Sequence, residues 1–113
     1  MAYTPDYFAR LVLRELRAAD DRAALLSHRP TKKTAVLGVL DGDEWVPLLR
    51  LANPSGSCNV MSLDVQHHGR WAPTHVRGVP ADITTALLGP LRFLWQMEVA
   101  AATNAARTSD PEL

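Results

Sequence analysis

Ser62, Asp64 and His75 are the residue types of a hydrolytic triad, and they lie close together in the sequence. Strand alternation places Ser62 and Asp64 on one face of a predicted strand, and pairing with the next strand sets His75 opposite Ser62. A working triad also needs a buried acid that orients the base and an oxyanion hole, and nothing here supplies either. We therefore predict no catalytic residues and no enzymatic activity.

The same predicted face carries one large aromatic side chain and several other polar groups. Its members are Ser62, Asp64, Gln66, Trp71, His75 and Arg77. Such a face offers stacking and hydrogen bonding to a base, a sugar or a peptide. The alternative is an ordinary solvated face on which Trp71 lies over its neighbours. A small-molecule binder that uses this face is our third functional hypothesis.

A set of basic residues supports a second hypothesis, a regulator that binds nucleic acid. Its members are Arg10, Arg14 and Arg17 on one stripe of the first helix, and Arg29, Lys32 and Lys33 with His28 in a basic loop at 28–33. Together they would track phosphates. However, Asp6, Asp20 and Asp21 lie at helical pairing distances from these arginines, which favours a self-paired surface. The 12 basic and 12 acidic residues also cancel, so no global field attracts a polyanion.

The sequence predicts neither a metal site nor a cofactor. The possible ligands are His67, His68, His75, Asp64 and Cys58, but adjacent histidines in a strand point to opposite faces and the spacing matches no zinc pattern. The 6 glycines are scattered at turns and form no phosphate-binding loop. Cys58, the single cysteine, has no neighbouring base in the sequence, so we interpret it as structural.

The first segment of the chain predicts a helix. Thr4 is a suitable cap, and Pro5 at the first helical position needs no partner for an N–H. Apolar residues then recur at helical spacing until the helix ends near Ser27, shortly before Pro30. The Asp20-Asp21 pair either interrupts this helix or starts a second short one.

The middle of the chain predicts two β-hairpins, with strands at 34–40, 45–51, 60–67 and 70–77. Pro47 cannot donate to a ladder, so its strand should be an edge strand or carry a bulge. A two-residue turn at His68 and Gly69 would set Leu63 opposite Thr74. The same register would set Met61 opposite Val76.

The C-terminal segment predicts a helical region that Gly89-Pro90 kinks or splits. Apolar residues surround nearly its whole circumference, more than a single sheet can bury. We therefore predict an interface with a second copy or another protein, although the first helix is an alternative cover. The first hairpin also has apolar groups on both faces. The predicted interface comprises Leu91, Phe93, Leu94, Trp95, Met97, Val99 and Trp45.

These elements predict an α+β fold. An N-terminal helix and a kinked C-terminal helix would pack on one face of a four-stranded antiparallel meander made of the two hairpins. We expect one domain at 1–107 and a disordered tail at 108–113. We find neither a signal peptide nor a membrane span in the sequence and expect a cytoplasmic protein. The leading hypothesis is a non-enzymatic homodimer that acts as a regulator, adaptor or chaperone-like protein.

Overall fold

The computed structural model describes residues 4–52 and 60–108 as an α+β fold with a five-stranded antiparallel sheet of strand order β1-β2-β3-β4-β5. The predicted loop at 53–56, Cys58 and the tail beyond Thr108 lie outside these residues. The elements in chain order are α1 (Pro5–Ala19), a 3₁₀ helix (Asp21–Leu25), β1 (Leu26–Pro30), β2 (Thr34–Asp41), β3 (Glu44–Ala52), β4 (Met61–His67), β5 (Arg70–Gly78), α2 (Pro80–Leu88) and α3 (Phe93–Thr108).

The prediction that the first helix continues to Ser27 is wrong, because α1 ends at Ala19 and a fifth strand follows the 3₁₀ helix. The side chain of Asp20 accepts a hydrogen bond from the backbone N–H of Arg22 and so caps the 3₁₀ helix. The guanidinium of Arg17 then donates to the carbonyl of Leu26 at 2.6 Å. As a result, the predicted basic loop begins inside a strand, and β1 pairs antiparallel with β2.

One face of the sheet and the three helices share a single core. Along β2, Ala35, Leu37 and Val39 are buried at alternate positions, as a strand with one covered face requires. They belong to one cluster with buried residues of all three helices, including Phe8 of α1 and Trp95 of α3. The indole N–H of Trp95 is satisfied inside this core, since it donates to the carbonyl of Leu87 at 2.8 Å.

The strand that contains Pro47 carries a bulge, as the sequence predicts. The register between β2 and β3 shifts after Leu37, so that Leu37 pairs with Leu49 and Gly38 pairs with Pro47. Leu48 is the extra residue of the bulge. The strand lies at the centre of the sheet rather than at an edge.

The second hairpin has the predicted turn but a different register further along. His67 pairs with Arg70, yet Leu63 pairs with Val76 instead of the predicted Thr74. The prediction that Met61 opposes Val76 is wrong for the same reason, since Met61 pairs with Gly78. Two extra residues, Thr74 and His75, loop out of β5. Because the insertion is an even number of residues, the side chains beyond it keep their predicted faces.

The Gly89-Pro90 sequence splits the C-terminal region into α2 and α3, one of the two predicted outcomes. Thr108 is the last residue of α3 rather than the first residue of the tail. None of the helices among the described residues combines the length and the apolar character that a membrane-spanning segment requires.

Candidate interaction surfaces

The side of the sheet that faces away from the buried core is a surface of its own, which we call the open sheet face. Strand register assigns to it Ser27, Arg29, Val36, Gly38, Leu40, Trp45, Arg50, Ser62, Asp64, Gln66, Trp71 and Arg77. It therefore contains every residue of the predicted polar face except His75. The first hairpin, formed by β2 and β3, contributes to this face Trp45 of the predicted interface and Leu40, which is 61% exposed.

Trp45 lies flat across β2 in a slot that Gly38 leaves open. A Cβ at Gly38 would come within 2.7 Å of the indole Cζ2 atom. The indole N–H donates to Ser27 Oγ at 2.8 Å, and the Arg29 guanidinium lies 4.2 Å from the ring centroid. Because Gly38 lies beneath the ring and Arg29 stacks over it, the aromatic group is held in one orientation.

Arg50 organises the second half of the open sheet face. Its Nε and one Nη donate to Asp64 Oδ2 at 3.0 Å and 2.8 Å. Its Cζ atom also lies 5.1 Å from the centroid of the Trp71 ring. Sequence reasoning missed Arg50, because the contact joins the two predicted hairpins and requires the pairing of β3 with β4.

Ser62, Asp64 and His75 do not assemble into a triad. Ser62 pairs with Arg77 rather than with His75, and its hydroxyl donates to the carbonyl of Ala52 at 3.2 Å. Asp64 is engaged by Arg50. His75 is exposed in the bulge, with a φ of 66° that is unusual for any residue except glycine. Among the described residues, no group of three or more His, Cys, Asp and Glu side chains is placed to hold a metal ion.

The predicted interface on the last helix divides into a buried and an exposed half. Trp95 is 0% and Val99 1% exposed within this single chain, and Leu91 and Leu94 are half-buried against the core. Phe93 and Met97, one turn apart, are 61% and 73% exposed. With the exposed Ala100 and Ala101, these two residues form what we call the α3 strip. Between Phe93 and Ala102, the exposed apolar surface of this helix is therefore smaller than its sequence suggests.

The three arginines of α1 are engaged within the chain. Arg10 forms an ion pair with Asp6 at 3.2 Å, and Arg14 approaches Glu15 at 3.8 Å. Arg17 donates to the carbonyl of Ala23 within the 3₁₀ helix and to the carbonyl of Leu26, the first residue of β1. Of the acidic residues that the sequence places at pairing distance, Asp6 pairs with an arginine of this stripe, whereas the Asp20 carboxylate pairs with Arg22 instead.

The remaining basic residues of that set lie elsewhere. Arg29 stacks on Trp45, while Lys32 and Lys33 are exposed in the turn between β1 and β2. His28 lies on the core side of β1 and shares a hydrogen bond of 2.7 Å with Asp6. The predicted nucleic-acid residues thus do not form one continuous surface.

Two carboxylates have altered proton affinities because of their hydrogen bonds. The hydrogen bond from His28 lowers the pKa of Asp6, and Arg10 acts in the same direction. Burial alone would raise the pKa of Asp20. Hydrogen bonds from Arg22 and Gln96, with the charge of Arg22, outweigh burial and lower that pKa. The Gln96 amide donates to Asp20 at 2.6 Å, which ties α3 to the end of α1.

A groove of about 830 Å³ runs between α1 and α2. Its lining is mainly apolar and includes Leu11, Ala18, Val79 and Leu88, with Arg14 and Glu15 as its charged members. Arg14 and Glu15 carry opposite charges and lie close together. The groove therefore has no net charge that would favour an anionic or a cationic ligand.

A scan of the chain against protein-family models gives no match, and comparisons with curated proteins and with solved structures give none either. The function is therefore inferred from the geometry of this chain alone.

Proposed function

We propose that this chain is a non-enzymatic protein-interaction module of the regulatory, adaptor or chaperone-like kind, which forms a homodimer. The observation that carries the proposal is the open sheet face, where side chains of five strands surround two tryptophans. Among the described residues, no hydrogen bond or ion pair connects this face to a helix. A sheet normally buries its apolar groups against another layer, so a second copy is a natural cover.

The edges of the sheet are poorly suited to association. On β1, the Leu26 N–H donates to the carbonyl of Ala23 and the Leu26 carbonyl accepts from Arg17, while Pro30 has no N–H. These features leave little of the outer edge available for another strand. On β5, Pro73 and the bulge at Thr74 and His75 interrupt the edge as well. Association is therefore expected on a face.

The composition of the open sheet face favours a protein partner over nucleic acid. Tryptophan and arginine are the residues most enriched where interfaces concentrate their binding energy. A stacking platform for bases needs free aromatic faces, whereas the half-buried Trp45 ring already lies against Gly38 and beneath the Arg29 guanidinium. Arg50 is likewise already paired with Asp64. Nucleic-acid binding remains the alternative, and ligand binding on this face comes third.

The α3 strip is a separate candidate surface, on the helical side of the molecule. In an antiparallel pair of α3 helices, the large Phe93 and Met97 side chains of one copy would lie against the small Ala100 and Ala101 of the other. We propose the open sheet face as the dimer interface because it is broader. The α3 strip is then left for a second protein, as an adaptor requires.

Three matched substitutions separate these surfaces: Leu40→Gln on the open sheet face, Met97→Gln on the α3 strip and Leu25→Gln as a control. Leu25 is 50% exposed in the 3₁₀ helix and belongs to neither surface. Each change replaces an exposed apolar side chain by a polar one of similar length, so little loss of folding is expected. Dimer mass and Kd are measured by sedimentation equilibrium between about 1 and 100 µM.

We expect a dimer for the wild type and for the Leu25 and Met97 variants. Leu40→Gln should raise the Kd by roughly 100-fold, because a two-fold interface loses the burial of this side chain twice. A wild-type monomer at 100 µM would contradict the proposed function. A dimer that is weakened by Met97→Gln and not by Leu40→Gln would show that the dimer interface lies on α3 instead of the open sheet face.

A further inference from the structure

We infer that the α3 strip binds a basic amphipathic helix of a partner protein. Phe93 and Met97 contact the apolar side of that helix, and the carboxylate of Glu98 pairs with one of its lysine or arginine side chains. This inference rests on the proposed adaptor function, which leaves the α3 strip accessible in the dimer, and it specifies the chemistry of the second partner.

The α3 strip has the composition of a surface that accepts a helix. Met97 is the most exposed large apolar side chain among the described residues, and its flexible thioether adapts to partner side chains of different shape. Ala100 and Ala101 follow one turn later with little side-chain volume, so a second helix can approach the α3 backbone closely. Large and small side chains along one stripe favour helix-against-helix packing.

Each flank of the strip has an unpaired carboxylate close to it. Glu98 lies about 100° around the helix from Met97, on the flank away from Gln96. On the opposite flank, Gln96 donates to Asp20, and Asp21 is the next residue of the chain. Glu98 and Asp21 are both exposed, and within residues 4–52 and 60–102 neither forms an ion pair or a side-chain hydrogen bond.

The end of the sheet nearest to the 3₁₀ helix is acidic as well. That helix leads into β1 opposite Val39, and Asp41 follows Val39 at the end of β2. Asp41 and its cross-strand partner Glu44 lie on the side that the helices cover, because they alternate with Leu40 and Trp45 of the open sheet face. Both are exposed and form no ion pair with the described residues. Since α3 packs on β2 and β3, these carboxylates add to the negative potential around the strip.

The charge at the start of α3 favours one direction for the bound helix. Arg92, directly before Phe93, is exposed and forms no ion pair within the described residues. It lies at the N-terminal end of α3, where the helix dipole is also positive. A partner helix that runs antiparallel to α3 presents its negative C-terminal end to Arg92 and its basic side chains to Glu98 further along. The surface therefore favours a basic amphipathic helix over an acidic one.

Two synthetic peptides of about 18 residues test the inference on the full-length chain. Both have leucines at the helical spacing i, i+3, i+4, i+7, and the remaining positions are lysine in one peptide and glutamate in the other. Isothermal titration calorimetry at about 0.1 M NaCl measures the binding. We expect one lysine peptide per chain with a Kd of roughly 10 µM, and no measurable binding of the glutamate peptide.

Met97→Gln and Glu98→Lys test the apolar and the charged part of the surface. Their matched controls are Leu40→Gln on the open sheet face and Glu15→Lys on the exposed side of α1. Met97→Gln should raise the Kd of the lysine peptide at least fivefold through lost apolar burial, and Glu98→Lys should do so through repulsion. Each control should change the Kd by less than about twofold. Circular dichroism confirms that every variant is folded.

Equal binding of the two peptides, or no binding of the lysine peptide, would overturn the inference. An equal effect of Glu15→Lys and Glu98→Lys would do the same, because it would assign the binding to general charge attraction or to the groove between α1 and α2. Wild-type protein that assembles beyond a dimer, with the larger species lost in Met97→Gln, would assign the strip to a further copy of this chain and would also overturn it.

The outcome for the strip is separate from the outcome for the dimer. Leu40→Gln weakens the proposed dimer without changing the strip, so this variant should still bind the lysine peptide. A monomeric wild type that binds the peptide with the expected dependence on Met97 and Glu98 would remove the homodimer and keep the inference. A wild-type dimer that binds neither peptide would keep the homodimer and remove the inference.

Discussion

Gly38 leaves the space in which Trp45 crosses the sheet. A Cβ at this position would lie 2.3 Å from the carbonyl oxygen of Val46 and 2.7 Å from the indole ring, closer than van der Waals contact allows. The neighbouring strand and the ring would both have to move. The placement of one of the two tryptophans on the open sheet face therefore depends on a residue without a side chain.

Gly38→Ala is expected to destabilise the fold by about 1–3 kcal/mol through overpacking. It should also increase the solvent exposure of Trp45 and shift the tryptophan emission to longer wavelength. Urea unfolding and fluorescence measure the two effects. Unchanged stability and emission would show that the indole does not occupy the slot.

His75 adopts a left-handed backbone conformation at φ 66° inside the bulge of β5. Thr74 stabilises that bulge, because its hydroxyl donates to the carbonyl of Leu63 at 2.7 Å and accepts from the N–H of Val76 at 3.2 Å. A β-branched residue tolerates the left-handed region poorly, whereas asparagine enters it readily.

His75→Val should therefore cost about 1–2 kcal/mol of stability, and His75→Asn should change it by less than about 0.5 kcal/mol. Thermal or urea unfolding of the two variants measures the difference. Equal stabilities would mean that residue 75 does not have positive φ in solution.

At the scale of the elements, the junction between α1 and β1 shows why part of the fold escaped prediction. Ala23 and Leu26 continue the helical spacing of α1 and are buried, but they are buried from a 3₁₀ helix and a strand. The Asp20-Asp21 pair is the sequence feature that indicates where α1 ends. The short sequence of β1 contains Pro30 and little strand alternation, so only its pairing with β2 reveals it as a strand.

The longer strands and the split at Gly89-Pro90 could be predicted, because alternation and proline act locally. Three features could not, since they depend on contacts distant in sequence. These are the bulge at His75, the Arg50–Asp64 pair and the burial of Trp95. The bulge in particular preserves the alternation of faces, so the apolar pattern gives no sign of it.

Asp20 connects three elements, and its removal should loosen all of them. Its side chain accepts from the N–H of Arg22 at the start of the 3₁₀ helix and from the Gln96 amide of α3. Asp20→Ala is expected to cost about 1–2 kcal/mol of unfolding free energy, the effect of losing an N-cap. Asp21→Ala is the control, because Asp21 is exposed and its side chain forms no hydrogen bond or ion pair with the described residues; this change should cost less than about 0.5 kcal/mol. Equal costs would contradict the role of Asp20.

The same carboxylate makes the fold sensitive to acid. The pKa values of Asp6 and Asp20 lie below the ordinary value of 3.8, so both groups stabilise the folded state while they are ionised. That contribution is fully present well above pH 3.8 and is lost as the pH falls through the lower folded-state pKa. Urea unfolding between pH 6 and pH 2.5 should show this loss, and the loss should be smaller in Asp20→Ala.

At the scale of the whole molecule, the chain has helices on one side and an exposed sheet on the other. Pairing two open sheet faces would give a four-layer assembly with helices outside and two sheets inside. The α3 strip and the groove between α1 and α2 would then remain accessible on both outer layers. A dimer built in this way presents two identical sets of surfaces to a further protein, which is how an adaptor gains avidity.

The formal net charge of +0 means that no overall repulsion opposes pairing of two copies, so the effect of salt comes from charges on the paired surfaces. The open sheet face carries Arg29 and Arg77, neither of which forms an ion pair among the described residues. Pairing two open sheet faces therefore brings like charges near one another. Raising NaCl from 0.1 to 1 M shortens the screening length from about 10 Å to about 3 Å, so such a dimer should tighten by several-fold in Kd. Sedimentation equilibrium across this salt range measures the change, and a Kd that rises with salt would contradict the sheet-to-sheet arrangement.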